Sequence, residues 1–367
     1  MNTYTNNIIN YAFRVTPLTE EEKLYVINNY SLENAANLKE TLTTKKVRPV
    51  VGKMMLGLGV DVEYWEKEYN FFLNRNKAVI EEIDRVFGEL QKNGVSKIFA
   101  YENFGALLSS GTDVALYTSG DVDLYADIDQ KDKIVEIMGT LGYKPTQDIY
   151  HERNIMTEFL KEGGVIRVNV DWIIIRRMMF PINVSLDGVL DWNILRLYGD
   201  TNIQIPSKEA LLYLCLLRIA VHGFSRSPDV RLYIDIQNCA CVNPDWDQMI
   251  KWAKRDNMLT KVVAVAYIAH HLNGVTVPES VLRMAEEDRF AQIIIEKCYD
   301  SKNRTLRYDP AGMELFRVEA ASDNRSLAGE IFAMLFPPKK WLEAFYQKDG
   351  DACYKKYVNY YKRMIGK

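Results

Sequence analysis

Along the first 95 or so residues, apolar positions recur every three or four residues, the period of a helix. Glu20, Glu21 and Glu22 followed by Leu24, Val26 and Ile27 predict a first amphipathic helix. A longer one is predicted from roughly Val62 to Lys92, where Phe72, Val79, Ile83, Val86, Phe87 and Leu90 share one stripe and Gly94 is the stop signal. At Asn93-Gly94 the period changes. VSKIFAY predicts a strand and NFGALLSSG the start of a helix. TSGDVDLYADI, Thr118 to Ile128, then alternates with period two. One face carries Asp121, Asp123, Tyr125 and Asp127, and the other is wholly apolar. Asp129 is the expected N-cap of the helix QKDKIVEIMGTLGY, which ends at Gly142. MTEFLKE and VIRVNVDWIII flank Gly163-Gly164 and predict a hairpin. After Pro181 the helical period returns. Helices are expected after Pro206-Ser207, over DVRLYIDIQNCA, DWDQMIKWAKRD and LTKVVAVAYIAHHLNG, and over most of the last 85 or so residues, with a break at Pro337-Pro338.

These elements predict an α+β fold: a small mixed sheet embedded between helical segments. Along the chain they divide into an N-terminal helical region (1–94), a core with the acidic strand (95–185) and a C-terminal helical domain (186–367). At 367 residues there is enough chain for more than one domain. The net charge of −3 gives no global reason to expect a long nucleic-acid partner. Cys239 and Cys241 form a C-x-C with no second pair nearby, so the 5 cysteines predict reduced thiols in a cytoplasmic protein rather than a zinc site. The N-terminal MNTYTNNIINYAF lacks the basic-then-apolar pattern of a signal peptide, and no apolar run is long enough to span a bilayer.

The acidic strand is where composition turns into chemistry. Like charges on adjacent same-face positions repel, so a strand gains no stability from carrying them. In VIRVNVDWIII the alternation places Arg167, Asn169 and Asp171 on one face, above an apolar underside. If the two strands are neighbours, Asp171 joins Asp121 and Asp123. Convergent carboxylates suit magnesium, a hard cation that takes oxygens from one or two carboxylates and from phosphates. Two such ions activate an attacking hydroxyl and stabilise a pyrophosphate leaving group. A lone D-x-D is common and most often marks solvated edge charges; the GALLSSG upstream, the Ser119-Gly120 pair and Asp171 lift this one above that background.

With these residues in view, the arrangement resembles the nucleotidyltransferase fold of the DNA polymerase β-like superfamily. The wider chain is similar to a bacterial family of uncharacterised nucleotidyltransferases. The resemblance runs from about Val62 to the C-terminus, through GVSKIFAYENFGALL, SGDVDLY, VNVDWII, IPSKEALLYLCLLRIAVHG, RLYIDIQ before PDWDQMIKWA, and the terminal FPPKKWLEAFY and YKKYVNYYKRM. It implies an enzyme that uses a nucleoside triphosphate and two magnesium ions. Asp121 and Asp123 would bind both ions, and Asp171 would bind the catalytic one and help deprotonate the acceptor. Gly105, Ser119 and Gly120 would bring backbone N–H groups close to the triphosphate. Two positions depart from the family pattern. Phe104 stands where a lysine is usual, and Thr118 and Ser119 where a basic residue is usual. Arg153, Arg167, Lys208 and Arg218 are the candidates to supply that charge from elsewhere.

His222, in RIAVHGF, joins Arg167 and Lys208 as a possible substrate contact, although a lone histidine is more often packed or capping. Arg231 and Asp235, four apart, predict an intrahelical ion pair, and the family resemblance also implies a possible structural clamp or substrate contact there. His270 and His271 are adjacent, point to different faces and are expected to be structural. Arg176-Arg177 is expected to be solvated. Tyr354, Tyr357, Tyr360 and Tyr361 are expected to pack rather than to stack bases. The acceptor, a small molecule or a protein, is not selected by any residue pattern. The rival expectation is a non-catalytic protein of this fold that binds a nucleotide or a partner protein.

Overall fold

The computed structural model describes residues 3–146, 156–172, 189–190, 196–221, 229–302, 304–307, 332, 335–336 and 353–364. Arg153, the pair Arg176-Arg177, His222 and Pro337-Pro338 lie outside them.

Five helices come first: α1 (Thr3–Ala12), α2 (Glu20–Asn28), α3 (Leu32–Lys45), α4 (Arg48–Gly57) and the 31-residue α5 (Val62–Lys92). The sequence pattern starts at α2, whose first turn is fixed by a capping box between Thr19 and Glu22. It does not reveal α1, TYTNNIINYA, because asparagine and threonine are weak helix formers. Tertiary packing holds that helix: Tyr4, Thr5, Ile8 and Ile9 are buried, and the Tyr4 hydroxyl donates to the Val26 carbonyl at 3.1 Å.

The central sheet contains β1 (Ile98–Ala100), β2 (Asp121–Ala126), β3 (Tyr143–Pro145), β4 (Met156–Lys161) and β5 (Arg167–Asp171), interleaved with α6 (Glu102–Ser110) and α7 (Lys131–Thr140). Its strand order is β1-β2-β5-β4-β3. The β2–β5 pair is parallel, whereas β1–β2, β3–β4 and β4–β5 are antiparallel. The two polar strands are therefore neighbours, with Asp121 opposite Arg167, Asp123 opposite Asn169 and Tyr125 opposite Asp171. Asp129 does not cap α7. The preceding Asp127 caps a short 3-10 turn instead, accepting from the Asp129 N–H at 3.0 Å and pairing with Lys97 at 2.8 Å. Asp127 thus leaves the strand's polar face, because β2 ends at Ala126.

The rest of the described chain is mainly helical: α8 (Lys208–Val221), α9 (Asp229–Ala240), α10 (Trp246–Arg255), α11 (Leu259–Asn273), α12 (Glu279–Glu287), α13 (Arg289–Cys298) and α14 (Cys353–Met364). Two small ladders, β6 (Arg196–Leu197) with β7 (Gln204–Ile205) and β8 (Tyr299–Asp300) with β9 (Thr305–Leu306), complete it.

Buried apolar side chains form two clusters. One lies under the sheet, where Val122, Leu124, Ala126, Val168 and Val170 meet α5, α6 and α7. The other joins α1, α3 and α4 to α8, α9 and α11. Phe99 and Tyr101 belong to the second cluster and Tyr125 packs against it, so the polar face of β2 and β5 looks toward α8 and α9. This seam holds the acidic residues.

On α11, His270 Nδ1 lies 2.8 Å from the Val275 carbonyl and His271 packs on Tyr267, both internal contacts. Tyr357 and Tyr361 stack on one another in α14, and the Tyr361 hydroxyl donates to the Leu335 carbonyl, while Tyr354 is exposed.

Candidate active site

Asp121 and Asp123 point to one face of β2, and Asn169 on β5 lies between them. Its Nδ2 donates to Asp121 Oδ2 and to Asp123 Oδ1, each at 3.0 Å. These donated hydrogens offset part of the repulsion between the two carboxylates. Ser119 Oγ donates to the other Asp121 oxygen at 2.5 Å. Asp171 sits on the same face, opposite Tyr125, and accepts from the Tyr101 hydroxyl at 2.6 Å. Tyr101 is buried, and burial together with Asp171 and Asp123 raises its phenol well above the usual range. It therefore stays protonated and fixes the orientation of Asp171.

The three expected acids thus share one face without forming a single cluster. Among the described residues no group of three or more His, Cys, Asp and Glu side chains converges closely enough to hold one metal. The register explains the spacing: the residue opposite Asp123 is Asn169, and Asp171 lies two positions further on.

The loop leading into β2 is held from below. Asn76 of α5 is buried on the apolar stripe, and its Nδ2 donates to the Val114 and Tyr117 carbonyls at 2.6 and 2.8 Å. Arg75, beside it, donates to the Ser119 carbonyl, and the Tyr117 hydroxyl donates to the Asp121 carbonyl. Burial lowers the Arg75 pKa, while Tyr117 and Asp121 oppose that change. Thr118 Oγ1 reaches the Lys46 carbonyl at 2.6 Å, and Lys53 and Tyr69 meet Asp113 at 3.0 and 2.8 Å. The N-terminal helices therefore clamp the loop that positions the carboxylates.

The expected glycines play different parts. A Cβ on Gly105 would lie 2.7 Å from the Ala100 carbonyl oxygen and 3.1 Å from Leu211, so its bareness lets α6 rest on β1 and α8. A Cβ on Gly120 would meet nothing within 4 Å, leaving open space beside Asp121. Phe104, in place of the family's lysine, is buried against Tyr117 with ring centroids 5.4 Å apart.

Of the proposed outlying cations, Arg167 is a surface partner of Glu158 at 3.3 Å. Lys208 donates to the Val242 and Asn243 carbonyls at 3.1 and 2.6 Å, anchoring the end of α9 rather than facing the carboxylates. Arg218 does reach the seam. It is ion-paired with Glu102, and burial, with Arg231 adding to it, lowers its pKa to about 10.

Arg231 and Asp235 are not the surface ion pair expected from their spacing. They are buried at 8% and 5% exposure, and Arg231 Nε and NH1 have no hydrogen-bond partner. Burial raises the Asp235 pKa to about 6, against the lowering effect of Arg231 and Arg218, and Asp123 raises it further. Asp235 is thus near enough to the acidic face to sense its charge. The sequence signal for this group was weak: an arginine and an aspartate on the inner face of a helix whose other inner residues are apolar.

The site is thus a parallel pair of polar strands in a small mixed sheet, with two carboxylates at the end of a glycine-containing loop. The family model described as "Uncharacterised nucleotidyltransferase" matches residues 37–274, and the chain belongs to that family. The protein is accordingly a transferase. No curated protein matches it. Among solved structures it is similar to ANT(2")-Ia in complex with adenylyl-2"-tobramycin, at 10% identity and a TM-score of 0.36, covering 48% of this chain and 95% of that one. It is also similar to the solution structure of the antibiotic-resistance factor ANT(2'')-Ia, at 10% identity and a TM-score of 0.38, covering 53% and 99%. Among the described residues, no helix is long and apolar enough to cross a membrane.

Proposed function

We propose that the protein transfers a nucleoside monophosphate from a nucleoside triphosphate to a hydroxyl or phosphate of a small-molecule or protein acceptor, with magnesium. The observation that carries this reading is the pairing of Asp121 and Asp123 on one sheet face, next to open space at Gly120.

The donor set fits a magnesium ion. It offers hard carboxylate oxygens on two same-face residues, and the neighbouring Asn169 Oδ1 is buried without a hydrogen-bond partner. Asp121 and Asp123 would hold the metal, with Asp171 contributing to a second position in the two-ion form. Bound there, magnesium would neutralise phosphate charge and make the acceptor's oxygen more nucleophilic.

The chain's own residues have separate tasks. Asn169 and Ser119 set the orientation of the paired carboxylates, and Arg75 and Asn76 fix the loop that carries them. Tyr101 holds Asp171, which would take the acceptor proton as the acceptor oxygen bonds to the α-phosphorus. The bond from that phosphorus to the bridging oxygen breaks at the same centre, and pyrophosphate leaves with the electron pair. Phe99 and Tyr101 are buried on the side of the polar face and would exclude water there.

Pyrophosphate release, measured across nucleoside triphosphates and a panel of hydroxyl and phosphate acceptors, tests the reading. Asp121→Asn and Asp123→Asn should each lower the rate by on the order of a thousandfold while the melting temperature stays within a few degrees. A fully active double variant would contradict it. Tight nucleotide binding by wild type with no pyrophosphate released to any acceptor would favour the non-catalytic alternative.

A further inference from the structure

The β8–β9 hairpin closes one side of a cavity of about 680 Å³ whose other walls are α11 and α13. That volume falls within the about 300–1,000 Å³ usual for small-molecule sites. Among the described residues, none of its lining belongs to β2, β5, α6, α8 or α9, so it is separate from the acidic seam. Apart from Tyr267 and His271, the lining also lies beyond residue 274, where the family match ends.

The floor is aromatic. The rings of Tyr267 and His271 have centroids 4.2 Å apart, and the Tyr299 ring lies at 29° to that of His271 with centroids 6.5 Å apart. Tyr267 and His271 are half-buried, and Ile295 adds apolar surface to the same wall. The Tyr299 hydroxyl donates to the His271 carbonyl at 3.1 Å, which fixes the hairpin against α11. Burial, with His270 and Arg304 adding to it and Glu286 opposing, lowers the His271 pKa. At neutral pH its imidazole is therefore an uncharged ring. A run of ring faces left partly open is a stacking surface for a planar group.

The rim is cationic. Lys297, Arg304 and Arg307 are exposed there against Glu296, two positive charges in excess. Glu286, near enough to act on both Tyr267 and His271, still leaves one. Asp300 is engaged in the hairpin turn, where its Oδ1 accepts from the Lys302 N–H at 3.1 Å. Arg304 is the telling residue. Its φ of 50° is left-handed, a conformation that glycine or asparagine adopts at less cost. The turn thus has no use of its own for arginine, yet the guanidinium is close enough to act on both His271 and Tyr299. A planar fork beside aromatic rings suits a ligand with a ring to stack and an oxyanion to pair.

We propose that this cavity is a second ligand site, for a small molecule of the nucleoside monophosphate kind: a planar aromatic group stacked on Tyr267 and His271, with its anionic group held by Arg304 and Arg307. The proposal does not rest on the nucleotidyl-transfer reading, because no residue of the acidic face takes part.

The test is calorimetric titration of the four common nucleoside monophosphates into the full-length protein in EDTA, so that no metal contributes. At least one should bind wild type. Its nucleoside, which lacks the anion, and ribose 5-phosphate, which lacks the ring, should each bind about tenfold more weakly or worse. Arg304→Asn should weaken the monophosphate by about tenfold while the melting temperature holds or rises, since asparagine suits the left-handed turn. An arginine kept only for the fold would give a lower melting temperature and unchanged affinity. Tyr267→Leu should weaken binding as well, and Asp121→Asn/Asp123→Asn should not, which separates failure of this site from failure of the metal-dependent reaction. No binding by wild type, equal affinity in Arg304→Asn, or ribose 5-phosphate binding as tightly as the nucleotide overturns the proposal. Crystals of wild type soaked in 8-bromo-adenosine monophosphate give a readout that needs no variant. Bromine density against Tyr267 and His271 supports the site, and density only elsewhere overturns it.

Discussion

At Gly105 a single methyl group decides whether α6 can lie on the sheet. The position for a Cβ is taken by the Ala100 carbonyl, a backbone atom that cannot rotate away, with Leu211 closing the other side. Gly105→Ala is expected to cost about 1–3 kcal/mol of stability, read as a lower urea midpoint. Asp235 makes a different demand. Its carboxyl titrates at about 6 in the folded protein against a usual 3.8, because burial disfavours the charged form. The folded state therefore holds a proton that the unfolded chain has already lost between those two values. Stability should fall as pH rises from about 4 to about 6, by about 2 kcal/mol, and Asp235→Asn should flatten that part of the profile. Urea midpoints at intervals across that range would show it. The paired aspartates were legible in the sequence because alternation exposes a charged face that strand packing does not explain. Asn103 was not, and Arg231 was legible only as an ion-pair partner of Asp235 or, through the family resemblance, as a clamp or substrate contact; its burial follows from the meeting of α6 and α9, which are far apart in sequence.

Helix α5 shows how far one element's pattern reaches. Its apolar stripe was readable from Phe72 to Leu90, and its C-terminal bound follows from Gly94, which takes a positive φ. The informative position on it is Asn76, where an amide interrupts the stripe and proves to be the clamp for the loop before β2. Glu82, two turns on, ties the helix to the far edge of the sheet. It accepts from Arg85, from the Tyr143 hydroxyl at 2.8 Å and from Lys161 at 3.1 Å. The Arg85 hydrogen bond, with those of Tyr143 and Lys161, lowers its pKa from 4.5 to about 2, outweighing the opposing effect of burial. The resulting stability is present above about 4.5 and is lost as pH falls toward 2. Glu82→Gln should lower stability at neutral pH by about 1–2 kcal/mol and leave a shallower acid limb, measured by thermal melts from pH 2 to 6. By contrast α1 was not readable. Its asparagines carry little helical preference, and its place is set by contacts with α3 and α4.

At the scale of the molecule, the α+β class could be read from periodicity alone, since each change of period marks a change of element, but α1, α3, α4 and the short strand β3 could not. The strand order could not, because pairing β2 with β5 depends on a parallel register that no turn between them encodes. That register makes the site. It sets Asn169 between Asp121 and Asp123, places Asp171 two positions away, and turns the polar face toward the helices that bring Arg218, Arg231 and Asp235. The N-terminal helices, whose role the sequence left open, share a core with the C-terminal ones and grip the loop before β2 through Lys46 and Lys53.

The central claim is that the paired aspartates hold a metal and, through it, a triphosphate. The most direct test is a thermal-shift series of wild type and Asp121→Asn/Asp123→Asn with each of the four common nucleoside triphosphates, with and without magnesium. A ligand that binds only the folded state raises its apparent stability, by about 2.7 kcal/mol at a hundredfold excess over its dissociation constant. At least one triphosphate should raise the melting temperature of wild type, only when magnesium is present and only while both aspartates are intact. Stabilisation that survives in the double variant, or the absence of any magnesium-dependent shift in wild type, would contradict the account.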